Sequence, residues 1–184
     1  MKGIRGLLAA LVAACAFLSA GGASATVIPI NQWEEFSFGA TGSALAGCTS
    51  ALCIPGDISV FAPVPPWTFT CATSCTLVVT DGFSSVDQFQ FFDNLVSLGL
   101  TSAPTPGSNC VGAVLTCLGD AAFSHGSFSL AAGAHSITGI ATLSPLQAGA
   151  AFFIVRAQAV PEPSTILLLA MGLLSVGVML RKRG

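Results

Sequence analysis

Three aspartates recur at six-residue intervals around a phenylalanine-rich stretch: Asp81, Asp87 and Asp93. Clustered carboxylate oxygens are preferred ligands of Ca²⁺, and the serines that follow Asp81 could add oxygen donors on the same loop. The spacing does not match an EF-hand loop, however. Aspartates near turns more commonly cap the local backbone. The sequence therefore predicts no required cofactor, with Ca²⁺ at these three residues as an open alternative.

Two histidines and two adjacent glutamates are the other groups that could transfer protons. His125 or His135 could meet an aspartate for acid–base work, but no nucleophile motif such as G-x-S-x-G accompanies them. Glu34 and Glu35 are neighbours, and neighbouring strand residues point to opposite faces, so they cannot easily flank one glycosidic bond. The sequence predicts a protein that is not an enzyme and has no catalytic residues; a secreted hydrolase is the alternative.

The aromatic residues suggest a second alternative, carbohydrate binding. Trp33 and Trp67 could offer flat faces on which sugar rings stack. Most of the 13 phenylalanines must instead fill a core, because each buries enough apolar area to contribute a few kcal/mol.

Six cysteines follow the N-terminal segment in three close pairs. An even number of cysteines in an exported domain indicates disulfides, and six cysteines allow 15 pairings. Clustering favours the pairs Cys48–Cys53, Cys71–Cys75 and Cys110–Cys117. The middle pair is predicted to close a hairpin of the strands 67–71 and 75–80. No spacing is C-x-x-C, which argues against a zinc site.

The C-terminal segment has a membrane-type pattern. An uncharged apolar run from Ser164 to Leu180 would span about 25 Å as a helix, which is adequate for a bilayer core of about 30 Å. A basic tail follows, and short positively charged flanks stay on the cytoplasmic side. The predicted stop-transfer tail consists of Arg181, Lys182 and Arg183 within residues 181–184.

The N-terminal segment resembles a secretory signal. Lys2 and Arg5 precede an apolar stretch, 7–20, and the triplet Ala23-Ser24-Ala25 fits an A-x-A cleavage site. The predicted partners here are signal peptidase, the secretion machinery and the membrane. A lipoprotein site at Cys15 is an open alternative.

Just before the apolar run, two prolines flank a glutamate, and each proline holds the preceding residue extended, as proteases generally require. This arrangement resembles the PEP-CTERM sorting signal of Gram-negative bacteria. The resemblance implies processing by exosortase, a membrane-embedded cysteine protease, and delivery to the cell envelope or to extracellular polysaccharide. The motif residues are Val160, Pro161, Glu162, Pro163, Ser164 and Thr165.

The segment between the two ends is long enough for one domain. Seven acidic residues face one base, Arg156, which gives a net charge of −6 with neutral histidines. No basic patch exists to bind phosphates, so nucleic acid is excluded as a partner.

About nine short runs rich in Phe, Val, Ile and Thr are bounded by Gly, Pro, Asp and Asn, with no helical pattern. They predict an all-β, antiparallel, jelly-roll-like sandwich. Asp93-Asn94 is predicted to be a turn.

These patterns predict a signal peptide (1–25), a β-sandwich ectodomain (26–159) and a sorting segment (160–184) with a transmembrane helix at 164–180. The predicted function is that of an exported envelope or matrix protein, structural or adhesive. The two alternatives are an exopolysaccharide-binding module and a secreted hydrolase.

Overall fold

A computed structural model of the chain describes residues 25–49 and 53–158, which form eleven strands and one short helix. The strands are β1 (Thr26–Val27), β2 (Trp33–Phe38), β3 (Ala46–Gly47), β4 (Ser59–Phe61), β5 (Trp67–Cys71), β6 (Cys75–Asp81), β7 (Gln88–Asp93), β8 (Val96–Leu100), β9 (His125–Leu130), β10 (Gly133–Leu143) and β11 (Gly149–Ala157). The helix is α1 (Val114–Gly119).

The strands form two packed sheets. Sheet A has the order β1-β5-β10-β7-β8, and sheet B has the order β3-β2-β11-β6-β9, with β4 also paired to β2. Most pairings are antiparallel, but β1–β5 and β4–β2 are parallel. The predicted all-β architecture of two sheets is confirmed, whereas the finer jelly-roll assignment stays a prediction.

The core between the sheets is built from aromatic rings. Alternate residues of β5 and β7 point inward, as the period of two requires, and they meet rings from β2 and β11. Phe36 lies at the centre, with its ring centroid 5.4 Å from that of Phe89 and 6.0 Å from that of Phe153. Edge-to-face contacts such as that between Phe36 and Phe89 add to the free energy gained by burial.

Sheet B is covered on its outer face as well. The connection from β8 to β9, which contains α1, packs Val114 and Phe123 against Trp33, Phe152 and other outward residues of the sheet. All six residues of β2 are therefore buried. This second layer explains why β2 and β11 lack the alternation of a half-exposed strand.

The helix α1 corrects the prediction that this connection contains none. It has six residues and no side-chain cap within its own segment. Its first N–H, that of Val114, is donated to Oδ1 of Asp57 at 3.0 Å, and the Cys110–Cys117 disulfide ties it to the preceding loop. Because its support comes from distant residues, local sequence carried no signal for it.

The structure contains the three predicted disulfides, with Cα–Cα distances of 5.7, 5.8 and 5.3 Å in chain order. The hairpin predicted around Cys71–Cys75 is wrong, because β5 belongs to sheet A and β6 to sheet B. The bridge instead joins the two sheets at one end of the sandwich. Two consecutive strands separated by a short turn look alike in sequence whether they pair or change sheets.

The predicted turn at Asp93-Asn94 is confirmed: a two-residue turn joins β7 and β8 in a β-hairpin. Asp93 pairs with Val96, and the intervening Asn94 and Leu95 have φ of 48° and 68°. These positive values correspond to a type I′ turn, which matches the twist of the flanking strands.

No helix within residues 25–49 and 53–158 is long and apolar enough to cross a membrane. The predicted transmembrane helix at 164–180, the basic tail and nearly all of the predicted signal peptide lie outside the described residues.

Candidate functional site

The three aspartates of the predicted calcium site are not all together. Asp87 and Asp93 lie at opposite ends of the Gln88–Asp93 strand, about 20 Å apart at 3.3 Å per residue. Asp93 is bound elsewhere, with Oδ2 2.8 Å from Nδ1 of His135 and Oδ1 accepting the Ser136 N–H at 3.1 Å. The structure therefore corrects the predicted trio, leaving Asp81 beside Asp87.

Asp81 closes the loop that joins β6 to β7. Its Oδ1 accepts the N–H of Gly82 at 2.8 Å, and its Oδ2 accepts the N–H of Asp87 at 3.1 Å. Burial raises the pKa of Asp81 to about 8, with a further contribution from the charge of Asp87 that the backbone hydrogen bonds partly oppose. Both carboxyl oxygens of Asp81 thus accept hydrogen bonds from the backbone of this loop.

Asp87 differs from Asp81 because one of its oxygens has no partner. The residue is only 3% exposed, and Oδ1 forms no hydrogen bond. Burial raises its pKa to about 6; the nearby Ser144 hydroxyl opposes this in part, although it makes no hydrogen bond of normal geometry. A buried, unpartnered carboxylate oxygen is costly, so this group is available to a ligand.

Asp87 lines a cavity of about 360 Å³ at one end of the sandwich. The cavity lies where β2 and β6 end and β11 begins, and Asp87 is the charged residue among those described around it. The apolar wall is formed by Phe38, Ile54, Phe83, Leu146, Ala148 and Ala150. A concave, mainly apolar site with a few polar groups, here Asp87, Ser37 and Ser84, has the composition of a small-ligand pocket.

Two glycines set the close packing at the cavity wall. A Cβ on Gly82 would lie 2.7 Å from the Ala150 carbonyl oxygen, and a Cβ on Gly149 would lie 2.4 Å from the Phe38 ring. Neither position has room for a side chain.

Glu35 is a second buried carboxyl with a free oxygen. Its Oε2 accepts the N–H of Gly56 at 3.0 Å, while Oε1 has no partner, and burial raises its pKa. A carboxylate oxygen and the sulfurs of Cys48 and Cys53 lie within 4.8 Å of one another. Those sulfurs are joined in a disulfide, which offers no thiolate, so this cluster is not a metal site in the oxidised protein.

Glu34 and Glu35 do project to opposite faces of β2, as predicted. Glu34 lies on the side of Phe36 in the core between the sheets, and burial raises its pKa to about 7. The pair therefore does not form the facing carboxylates of a glycosidase.

The two histidines lie in different sheets. His125 begins β9 in sheet B, and its Nδ1 has no partner. His135 lies in β10 of sheet A and, as anticipated, meets an aspartate; its Nε2 also lies 3.0 Å from the Ala131 carbonyl oxygen. Both ring nitrogens of His135 face acceptors, so neither is left for proton transfer to a substrate.

The structure contradicts a sugar-stacking role for either tryptophan. Trp67 is fully buried, and its Nε1 donates to the Pro63 carbonyl oxygen at 2.7 Å. Trp33 is buried beneath the outer layer of sheet B, with the Arg156 guanidinium 5.9 Å from its ring centroid. Both tryptophans are buried, so neither offers an exposed face to a sugar ring.

The end of the sandwich opposite the cavity holds the last described residue. Gln158 donates its N–H to the Ser74 carbonyl oxygen at 3.0 Å and accepts the Ser74 hydroxyl at Oε1 at 2.6 Å. Ser74 belongs to the loop closed by Cys71–Cys75. The last described residue of the domain, Gln158, is therefore hydrogen-bonded to the loop that the Cys71–Cys75 disulfide closes.

Comparison with known proteins identifies the segment that follows Gln158. A family model described as the PEP-CTERM protein-sorting motif matches residues 159–183. No curated protein and no solved structure matches the chain. The match covers the predicted Pro-Glu-Pro element, apolar run and basic tail, so the chain carries the PEP-CTERM sorting motif of exosortase substrates directly after its β-sandwich.

Proposed function

We propose that this protein is exported, held at the inner membrane as a precursor and sorted by exosortase to the cell envelope or extracellular matrix, where its β-sandwich has a structural or adhesive role. The observation that carries the proposal is the sorting motif at residues 159–183. Signal peptidase, the secretion machinery, the membrane and exosortase are the partners that this route requires.

The way the chain leaves the domain supports this route. The central strand of sheet B, β11, ends at Ala157, and the motif begins two residues later. Gln158 is already fastened to the Ser74 loop. A cut within the Pro-Glu-Pro element would thus fall outside every strand of the sandwich and leave the fold complete.

Three disulfides support a role outside the cytoplasm, where such bonds persist. Each one closes a short loop, and Cys71–Cys75 also joins the two sheets at one end of the sandwich.

The proposed role is non-catalytic and involves no cofactor. Its support is that Glu34 and Glu35 face opposite sides of β2, and that the two histidines lie in different sheets. Neither glycan stacking on tryptophan nor a hydrolase is put forward, because no arrangement of the described residues favours either.

The test follows the C-terminus of the protein in cells with and without exosortase. A tag placed in the exposed Ala131–Ala132 loop marks the ectodomain, and mass spectrometry of the recovered protein gives its C-terminal residue. We expect a new terminus near Pro161–Pro163 and release from the inner membrane only in cells with exosortase.

The matched variant replaces the signature Glu162 with alanine and keeps the apolar run and basic tail. We expect Glu162→Ala to accumulate as an uncut membrane-bound precursor. An intact C-terminus in both strains, or identical processing of the variant, would refute the sorting proposal.

A further inference from the structure

We propose that the cavity around Asp87 is a binding site for a small organic ammonium group, with the Asp87 carboxylate as its counter-ion and the phenylalanine-lined wall holding the apolar body of the ligand. The proposal does not depend on the sorting route.

The first argument is the missing partner of a buried carboxylate. Asp87 Oδ1 makes no hydrogen bond, and the residue is only 3% exposed. No hydrogen bond joins this oxygen to Asp81, whose oxygens accept backbone N–H groups, or to the nearby Ser144 hydroxyl. A ligand that donates a hydrogen bond or carries positive charge would remove this penalty.

The second argument is charge. Arg156 is the sole lysine or arginine in the described part of the chain, and it lies over Trp33 near the end of β11 that is remote from the cavity. The contact between His135 and Asp93 is also at the remote end of the Gln88–Asp93 strand. No cation of the described domain neutralises Asp87.

The third argument separates an organic cation from a metal ion. Ca²⁺ requires six to eight oxygen ligands, whereas the cavity offers Asp87 and the serines Ser37 and Ser84 among mainly apolar neighbours. Asp87 is the one carboxylate among the described residues that line the cavity. One carboxylate and two hydroxyls are fewer side-chain oxygen ligands than Ca²⁺ ordinarily takes.

The fourth argument is the wall. Phe38 and Phe83 line the cavity, and aromatic faces attract ammonium groups. A volume of about 360 Å³ is at the lower end of the range for small-molecule pockets. These features fit a short alkylammonium or a methylated ammonium better than a bulky, fully polar ligand.

The experiment is calorimetric titration of the full chain, purified in a neutral detergent, with four defined probes. The probes are n-butylammonium, tetramethylammonium, the neutral n-butanol and CaCl₂. We expect at least one ammonium probe to bind, while n-butanol and CaCl₂ do not.

Asp87→Asn keeps the shape of the side chain and removes its charge, so we expect its ammonium affinity to fall by about tenfold or more. Asp120→Asn is the matched control, because Asp120 caps the Ala122 N–H away from the cavity, and its affinity should stay unchanged.

A second variant guards against misfolding of the first. Ala148 is exposed at the cavity, so Ala148→Phe should fill the site and abolish binding without disturbing the core. Ala132→Phe, in the exposed loop at the opposite end, is its control. Equal affinity in Asp87→Asn and the unmodified chain, equal binding of n-butanol, or Ca²⁺ binding lost in Asp87→Asn would each overturn the proposal.

Discussion

At the scale of single residues, the unusual feature is a set of carboxyls buried without cations. Glu34, Glu35, Asp81 and Asp87 are each at most 3% exposed, and burial raises the pKa of all four. The folded protein therefore binds protons more tightly than the unfolded chain. Its stability should be fully present near pH 4 and should decline as the pH rises.

The pH prediction concerns the free energy of unfolding between pH 4 and pH 8. The loss should continue through about pH 6 for Asp87, about pH 7 for Glu34 and about pH 8 for Asp81. While a carboxyl is within its window, each pH unit removes roughly 1 kcal/mol. Urea unfolding of the full chain in detergent at several pH values measures this slope; stability that rises from pH 4 to pH 8 would contradict it.

Asp87→Asn should remove the part of the fall in the free energy of unfolding that comes from ionisation of Asp87. We expect the variant to match the unmodified chain at pH 4 and to be more stable at pH 8, because the buried charge of Asp87 is then absent. The comparison at pH 4 is the internal control for packing. A variant that matches the unmodified chain at pH 4 but is less stable at pH 8 would show that the carboxylate is paired in the folded protein.

At the scale of elements, the β7–β8 hairpin contains a removable strain. Leu95 adopts φ of 68° and is 87% exposed, although a type I′ turn favours glycine there. Leu95→Gly should stabilise the protein by about 0.5–1 kcal/mol, measured as the urea midpoint. Leu95→Ala removes the same apolar surface but keeps a Cβ at positive φ, so it should gain little. An equal rise of the urea midpoint in both variants would show that the loss of exposed apolar surface, and not the relief of backbone strain, stabilises the protein.

At the scale of the whole molecule, β11 decides where the chain can be cut. It lies between β2 and β6 and supplies Phe152 and Phe153 to the two sides of sheet B. A chain ending at Gln158 should resist proteolysis like the full chain. A chain ending at Pro145 lacks this central strand and should be degraded. Rapid degradation of both would show that residues beyond Gln158 are needed for the fold.

The sequence by itself determined the features that depend on local chemistry. The runs rich in Phe, Val, Ile and Thr specified strands, cysteines a few residues apart specified the disulfides, and Asp93-Asn94 specified the turn. The sorting motif could also be predicted from the sequence, because its residues are contiguous in the chain.

Only the tertiary structure decided which surfaces and charges lie together. Because β5 and β6 belong to different sheets, the Cys71–Cys75 disulfide joins the two sheets. Asp93 contacts His135 from another strand, and both tryptophans are buried. The cavity joins residues from the Ser37–Phe38, Gly82–Asp87 and Leu146–Ala150 segments. Contacts between segments so far apart follow from the packing of two sheets, and local periodicity carries no information about them.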